Sequence, residues 1–68
     1  MKLTLNGEEK ELAEARTLAD LLRLVGLDPE APGFAVARNG RVVPRLELPG
    51  TPVDEGDRIE VVRAVQGG

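Results

Sequence analysis

The sequence has no cysteine, no histidine, no tryptophan and no tyrosine, and its single aromatic residue is Phe34. Without cysteine no disulfide can staple a small fold, and a reducing cytoplasm is the compartment that this composition permits. Without histidine or cysteine the chain also lacks two of the commonest acid–base and nucleophilic groups. An enzyme working alone would therefore be hard to build from this chain, and no catalytic residue is expected. A lone aromatic ring cannot build a base-stacking platform. Twelve acids against nine bases, a net charge of −3, argue against nucleic acid as a partner. No apolar run approaches the roughly 18–20 residues of a membrane span, and no signal-like apolar core follows Met1. No membrane partner and a cytoplasmic location are expected.

Sixty-eight residues suffice for one small domain, which buries only about 60% of the surface its unfolded chain exposes. Leu3 and Leu5 alternate with Lys2 and Thr4, as in a strand with one wet face. Asn6-Gly7 is a tight-turn signal, because both residues tolerate positive φ. A second strand is expected over residues 10–14, with Leu12 pointing inward and Glu8-Glu9 widening the turn. Thr17 with Asp20 three residues later forms an acidic variant of the capping box. Leu18, Leu21, Leu22 and Val25 follow at helical spacing, and Gly26 is placed to end the helix.

Asp28-Pro29 and Pro32-Gly33 mark a connection. Phe34 to Arg38 reads as a strand with Phe34 and Val36 on one face and Ala35 and Ala37 on the other. Asn39-Gly40 turns it into Arg41-Val42-Val43, and Pro44 stops that strand. Residues 45–54 contain two prolines and one glycine, so irregular backbone with a helical turn is expected. After Glu55-Gly56-Asp57 the final strand starts at Arg58 and places Ile59 and Val61 inward. Strand, strand, helix, strand, strand, strand, with both chain ends central in one mixed sheet, is the β-grasp (ubiquitin-like) arrangement of the α+β class. Its core should use Leu3, Leu5, Leu12, Leu18, Leu21, Leu22, Val25, Val36, Val43, Ile59 and Val61.

A single helix can cover only one face of that sheet. Ala35, Ala37, Val62 and Ala64 then form a small-residue apolar patch on the other face, which is either a docking surface or ordinary exposed apolar area. The domain is expected to span residues 1–64, with residues 65–68 as a flexible arm. In that arm, Val65, Gln66, Gly67 and Gly68 bring the chain's α-carboxylate to a point where no side chain obstructs it. The Gly68 carboxylate is the leading candidate for a reactive group. Elsewhere the residues suggest bland roles: Glu8, Glu9 and Glu11 as a solvated face, Asp54, Glu55 and Asp57 as shapers of a turn. Neither group has the spacing of a calcium loop. No Gly-rich loop precedes a Lys-Ser or Lys-Thr pair, so no intrinsic ATP or metal site is expected. Arg38, Arg41 and Arg45 flank the second hairpin and offer either a positive spot for a partner or simple solvation.

Leu5-Asn6-Gly7, Thr17-Leu18-Ala19-Asp20-Leu21-Leu22 and Phe34-Ala35-Val36-Ala37-Arg38-Asn39-Gly40 occur in a familiar order. Val42-Val43-Pro44-Arg45, Glu55-Gly56-Asp57-Arg58-Ile59-Glu60 and the closing Val62-Arg63-Ala64-Val65-Gln66-Gly67-Gly68 complete it. Over nearly the full chain this resembles the ThiS family, ubiquitin-like sulfur carriers of thiamine (thiazole) biosynthesis. The resemblance implies that an E1-like, ThiF-like adenylyltransferase uses ATP to activate the Gly68 carboxylate. A persulfide donor then converts it to a thiocarboxylate, whose sulfur goes to a ThiG-like thiazole synthase. Residues 46–53 depart from the family pattern, which usually carries a more polar stretch with a tryptophan. A molybdopterin-synthase small subunit, a protein modifier forming isopeptide bonds, and a non-catalytic β-grasp interaction module are the alternatives.

Overall fold

The computed structural model describes residues 1–12 and 14–63. Five strands, β1 (Lys2–Leu5), β2 (Glu8–Glu11), β3 (Phe34–Arg38), β4 (Arg41–Val43) and β5 (Arg58–Arg63), form one mixed sheet in the order β2-β1-β5-β3-β4. The helix α1 (Leu18–Leu24) packs on one face, beside a 3-10 helix at Arg45–Gly50. This is the expected β-grasp. The expected division into a domain over residues 1–64 and an arm over residues 65–68 meets at a boundary outside the described residues.

Two turns of the same kind set the hairpin registers. Asn6 and Gly7 have φ of 50° and 82°, and Asn39 and Gly40 have 52° and 86°. Both central residues of a two-residue type I′ loop need positive φ, which Asn-Gly adopts at low cost. Leu5 therefore lies opposite Glu8, and Arg38 opposite Arg41. The second strand consequently starts at Glu8 and ends at Glu11, not at residues 10–14 as its sequence suggests. All four of its residues are exposed, because β2 is an edge strand, and so no apolar alternation marked it. Charge on such an edge also discourages pairing with other chains. Leu12 follows the strand, donates its N–H to the Met1 carbonyl at 2.9 Å, and is half-buried against the core.

Local chemistry fixes both ends of α1. The Asp20 N–H donates to Thr17 Oγ1 at 3.2 Å, and the Thr17 N–H donates back to Asp20 Oδ2 at 3.3 Å. The capping box read from the sequence is present, with aspartate in the usual glutamate position. At the other end Gly26 has φ of 84°. Leu27 N–H donates to the Leu22 carbonyl at 2.8 Å and Gly26 N–H to the Arg23 carbonyl at 3.1 Å, the two bonds of a Schellman motif.

The core joins Leu3, Leu5, Leu18, Leu21, Leu22, Val36 and Ile59, all expected, to Ala15, Ala19, Leu48 and Val53, which were not. Leu12, Val25, Val43 and Val61 pack at its margin, half-buried. Two of the additions, Leu48 and Val53, have one cause. Leu18 N–H donates to the Thr51 carbonyl at 2.9 Å, and Val53 N–H donates to the Arg16 carbonyl at 3.1 Å. These bonds strap the segment after the 3-10 helix to the entry of α1 and turn Leu48 and Val53 inward. Neither residue belongs to a periodic pattern.

Among the described residues one carboxylate, that of Asp57, is buried. Asp57 Oδ2 accepts from Arg38 Nε and from the Asp54 N–H, each at 2.8 Å, while Oδ1 accepts from Asn39 Nδ2 at 3.0 Å. Arg38 also pairs with Asp54 at 3.1 Å. The side-chain oxygen of Asn39 accepts the Arg58 N–H at 2.8 Å. Together these bonds fasten the β3–β4 turn to the start of β5. Burial alone would raise the Asp57 pKa, but the Asp54 N–H, the Asn39 amide and the Arg38 guanidinium outweigh it and hold it below the ordinary carboxylate range.

Two measurements check this account. Leu48→Ala should lose about 2–5 kcal/mol in urea unfolding, a large share of the stability of a domain this small. For Asp57 the folded pKa is depressed, so its contribution is complete above the unfolded value of about 3.9 and lost as pH falls through the folded one. Asp57→Asn should thus be less stable at pH 7 and show a shallower loss of stability between about pH 5 and 2 than the parent.

Candidate functional site: the uncovered sheet face beside the C-terminal strand

Strand alternation decides which residues the helix leaves uncovered. Leu3, Leu5, Val36 and Ile59 point toward α1, so their neighbours Thr4, Ala35, Ala37, Arg58, Glu60 and Val62 point the other way. Register then brings the apolar members together. Ala35 is directly opposite Val62, and Ala37 lies between Val42 on β4 and Glu60 on β5. Val42 is 67% exposed and Val62 60%. Ala35 is exposed and Ala37 half-buried. Thr4 and Arg58 adjoin this group, and Glu9 on β2 lies opposite Thr4. The result is an apolar centre on β3, β4 and β5 with a charged margin toward β2.

Three of the four residues expected in the patch, Ala35, Ala37 and Val62, are therefore neighbours. Ala64 lies outside the described residues, as do Val65, Gln66, Gly67 and Gly68. Val42 was missed. Its signal was available, because a two-residue Asn39-Gly40 loop places Val42 opposite Ala37 and hence on Ala37's face. The three arginines of the second hairpin do not act as a group. Arg38 turns to the helix side and is held by Asp54 and Asp57, while Arg41 and Arg45 are exposed. Among the described residues no cluster of acids is arranged to hold a metal ion, and no helix is long and apolar enough to cross a membrane.

This face is built around β5, the central strand, whose last described residue, Arg63, is five positions before Gly68. The model of the ThiS family matches residues 3–68. The chain belongs to the ThiS family. It is 42% identical over 64 residues to the sulfur carrier protein ThiS of Thermus thermophilus, covering 94% of this chain and 95% of that one. The crystal structure of the thiamine biosynthesis protein ThiS from Geobacter metallireducens superposes with a TM-score of 0.83 at 30% identity, with both chains fully covered. The chain is also similar, at 37% identity over 68 residues, to part of the thiazole synthase of Paramagnetospirillum magneticum. There it spans 20% of the relative's length. As a ThiS-family member the protein is a carrier of the ThiS sulfur-carrier type.

The uncovered face should tolerate charge where the covered face does not. Val62→Asp or Val42→Asp should cost no more than about 1 kcal/mol in urea unfolding, the span of strand propensities. Val36→Asp, which buries an unpaired carboxylate on the other face of β3, should abolish the cooperative transition.

Proposed function

We propose that the Gly68 carboxylate is the group that carries sulfur, and that residues 65–68 act as the arm that inserts it into partner enzymes. A free carboxylate is a poor acyl donor, since its charge repels nucleophiles and oxide is a poor leaving group. An E1-like, ThiF-like partner would join it to AMP from ATP with release of pyrophosphate, giving an acyl-adenylate. The terminal sulfur of a persulfide then attacks the carbonyl carbon and AMP departs. A second thiol cleaves the resulting acyl disulfide, leaving a thiocarboxylate on Gly68. Delivery to a ThiG-like thiazole synthase returns the carboxylate for another cycle.

The observation that carries this reading is the juxtaposition of an uncovered apolar face with the strand that leads into the Gly-Gly end. Four residues reach at most about 13 Å, enough to enter a cleft while the body stays outside. Fixing four backbone residues costs about 4–8 kcal/mol, and docking of Ala35, Ala37, Val42 and Val62 on the partner offsets part of that. Glycine at positions 67 and 68 lets a narrow channel close around the backbone. ATP belongs to the activating partner, as the chain offers no phosphate-binding loop.

Thiazole formation is favoured over molybdopterin formation by the relatives. Full-length matches to segments of two thiazole synthases, from Paramagnetospirillum magneticum and Magnetococcus marinus, support a carrier that works beside that enzyme. Intact-mass analysis after incubation with an E1-like enzyme, ATP and a persulfide donor tests the reading. Replacement of one terminal oxygen by sulfur is expected, and transfer to a thiazole synthase should reverse it. Deletion of Gly68 should abolish charging with the urea transition unchanged. Val62→Asp should raise the KM for charging by about tenfold or more, as an unpaired charge enters the interface. A shortened chain that charged normally would overturn the assignment.

A further inference from the structure

β5 is held along its whole length on one side and along only part of it on the other. Successive residues of a strand direct their backbone groups to opposite neighbours. The Asp57 and Ile59 carbonyls accept from the Thr4 and Asn6 N–H groups, each at 2.9 Å. The Arg58 carbonyl accepts instead from Asn39 at 2.7 Å, on the β3 side. Residues 57, 59, 61 and 63 therefore face β1, while residues 58, 60 and 62 face β3. Toward β3 the pairing continues to Phe34 opposite Arg63. Toward β1 it stops at Leu5 opposite Ile59, where the chain turns away through Asn6 and Gly7.

Asn6 takes over at that point. Its side-chain oxygen accepts the Val61 N–H at 2.8 Å, standing in for the carbonyl that a longer β1 would have supplied. Past this stop, the Val61 carbonyl and the Arg63 N–H face an edge with no strand beside it, and among the described residues no backbone group pairs with them. A groove follows the same edge. The apolar side chains of Leu5, Val25, Leu27 and Val61 meet Arg63 and the ion pair of Lys10 with Glu8, at 3.9 Å, there.

We propose that this half-open edge of β5 receives an extended segment of the activating partner. The segment adds to the sheet beside residues 61–63 by main-chain hydrogen bonds and sets the register in which the Gly68 carboxylate is presented. The inference rests on the carrier reading above. An extended backbone is the occupant because its alternating N–H and C=O groups match the spacing of the Val61 carbonyl and the Arg63 N–H. The groove accepts one apolar side chain of the segment, and the Arg63 guanidinium at its rim favours an acid beside it, Lys10 being paired with Glu8. Asn6 is the positioning residue that fixes where the protein's own sheet ends and the shared sheet begins. The uncovered face supplies area, whereas this edge supplies register.

Proline at position 63 isolates the main-chain contribution. Arg63→Pro removes an N–H that bonds to nothing in β3, and its fixed φ suits extended backbone. Arg63→Ala removes the side chain alone. With the E1-like enzyme, ATP and a persulfide donor, R63P should raise the KM for charging about tenfold over R63A, the size of one main-chain hydrogen bond, with kcat little changed. Equal KM values in the two variants would overturn the proposal. Amide exchange of the unsubstituted protein gives a test that does not depend on folding of a variant. The Arg63 N–H should exchange more slowly when the E1-like enzyme is added without ATP, and an unchanged rate in the bound state would also overturn it. If the unsubstituted protein acquires no sulfur, the carrier reading falls and takes this proposal with it. Normal charging with R63P equal to R63A removes only the shared edge.

Discussion

The fold depends on β5 being gripped from both sides. Its parallel pairing with β1 and antiparallel pairing with β3 place the last strand of the chain at the centre of the sheet. Ile59, on that strand, is fully buried, and so is nearly all of Leu3 on β1. A 68-residue chain has little apolar surface to bury, and a central position for β5 uses it well. The same position gives the chain's end a rigid base, because the strand that leads to it cannot shift without breaking two ladders.

Polar groups, not apolar ones, define the two ends of β5. At its start Asp57 gathers Arg38, Asn39 and the Asp54 amide, so each of its oxygens is satisfied. Near its finish Asn6 closes the β1 ladder with a side-chain oxygen. A buried carboxylate without those partners would be costly. With them it locks a turn to a strand at a single geometry. Both asparagines that build the hairpins thus serve twice, since each also bonds through its side chain to the backbone of β5.

Function follows from what the small fold leaves undone. One helix and a 3-10 turn cover one sheet face, so the other keeps Val42, Val62, Ala35 and Ala37 in water. That face and the Gly-Gly end are where the carrier reading proposed above places the partner contacts. The charged β2 edge, next to it, resists indiscriminate strand addition, while the short open length of β5 is positioned for a selective one.

Much of this was legible in the order of residues. Asn-Gly pairs dictated both hairpins through positive φ, the Thr17–Asp20 box and Gly26 bounded the helix, and period-two alternation sorted Val36 from Ala35. The start of β2 was not legible, because an exposed edge strand carries no apolar rhythm. Leu48 and Val53 were not recognised as core, because no period links them. They are inside only because hydrogen bonds between residues 16–18 and residues 51–53 reach across the fold. The sequence by itself therefore determined turns, caps, strand faces and the glycine-rich end, all of which follow from neighbouring residues. Tertiary structure alone decided that Asp57 would be buried, that Arg38 would be held by acids, and that β1 would stop short of Arg63. Each of those depends on which distant backbone lies alongside, and that is set by packing the whole sheet against one helix.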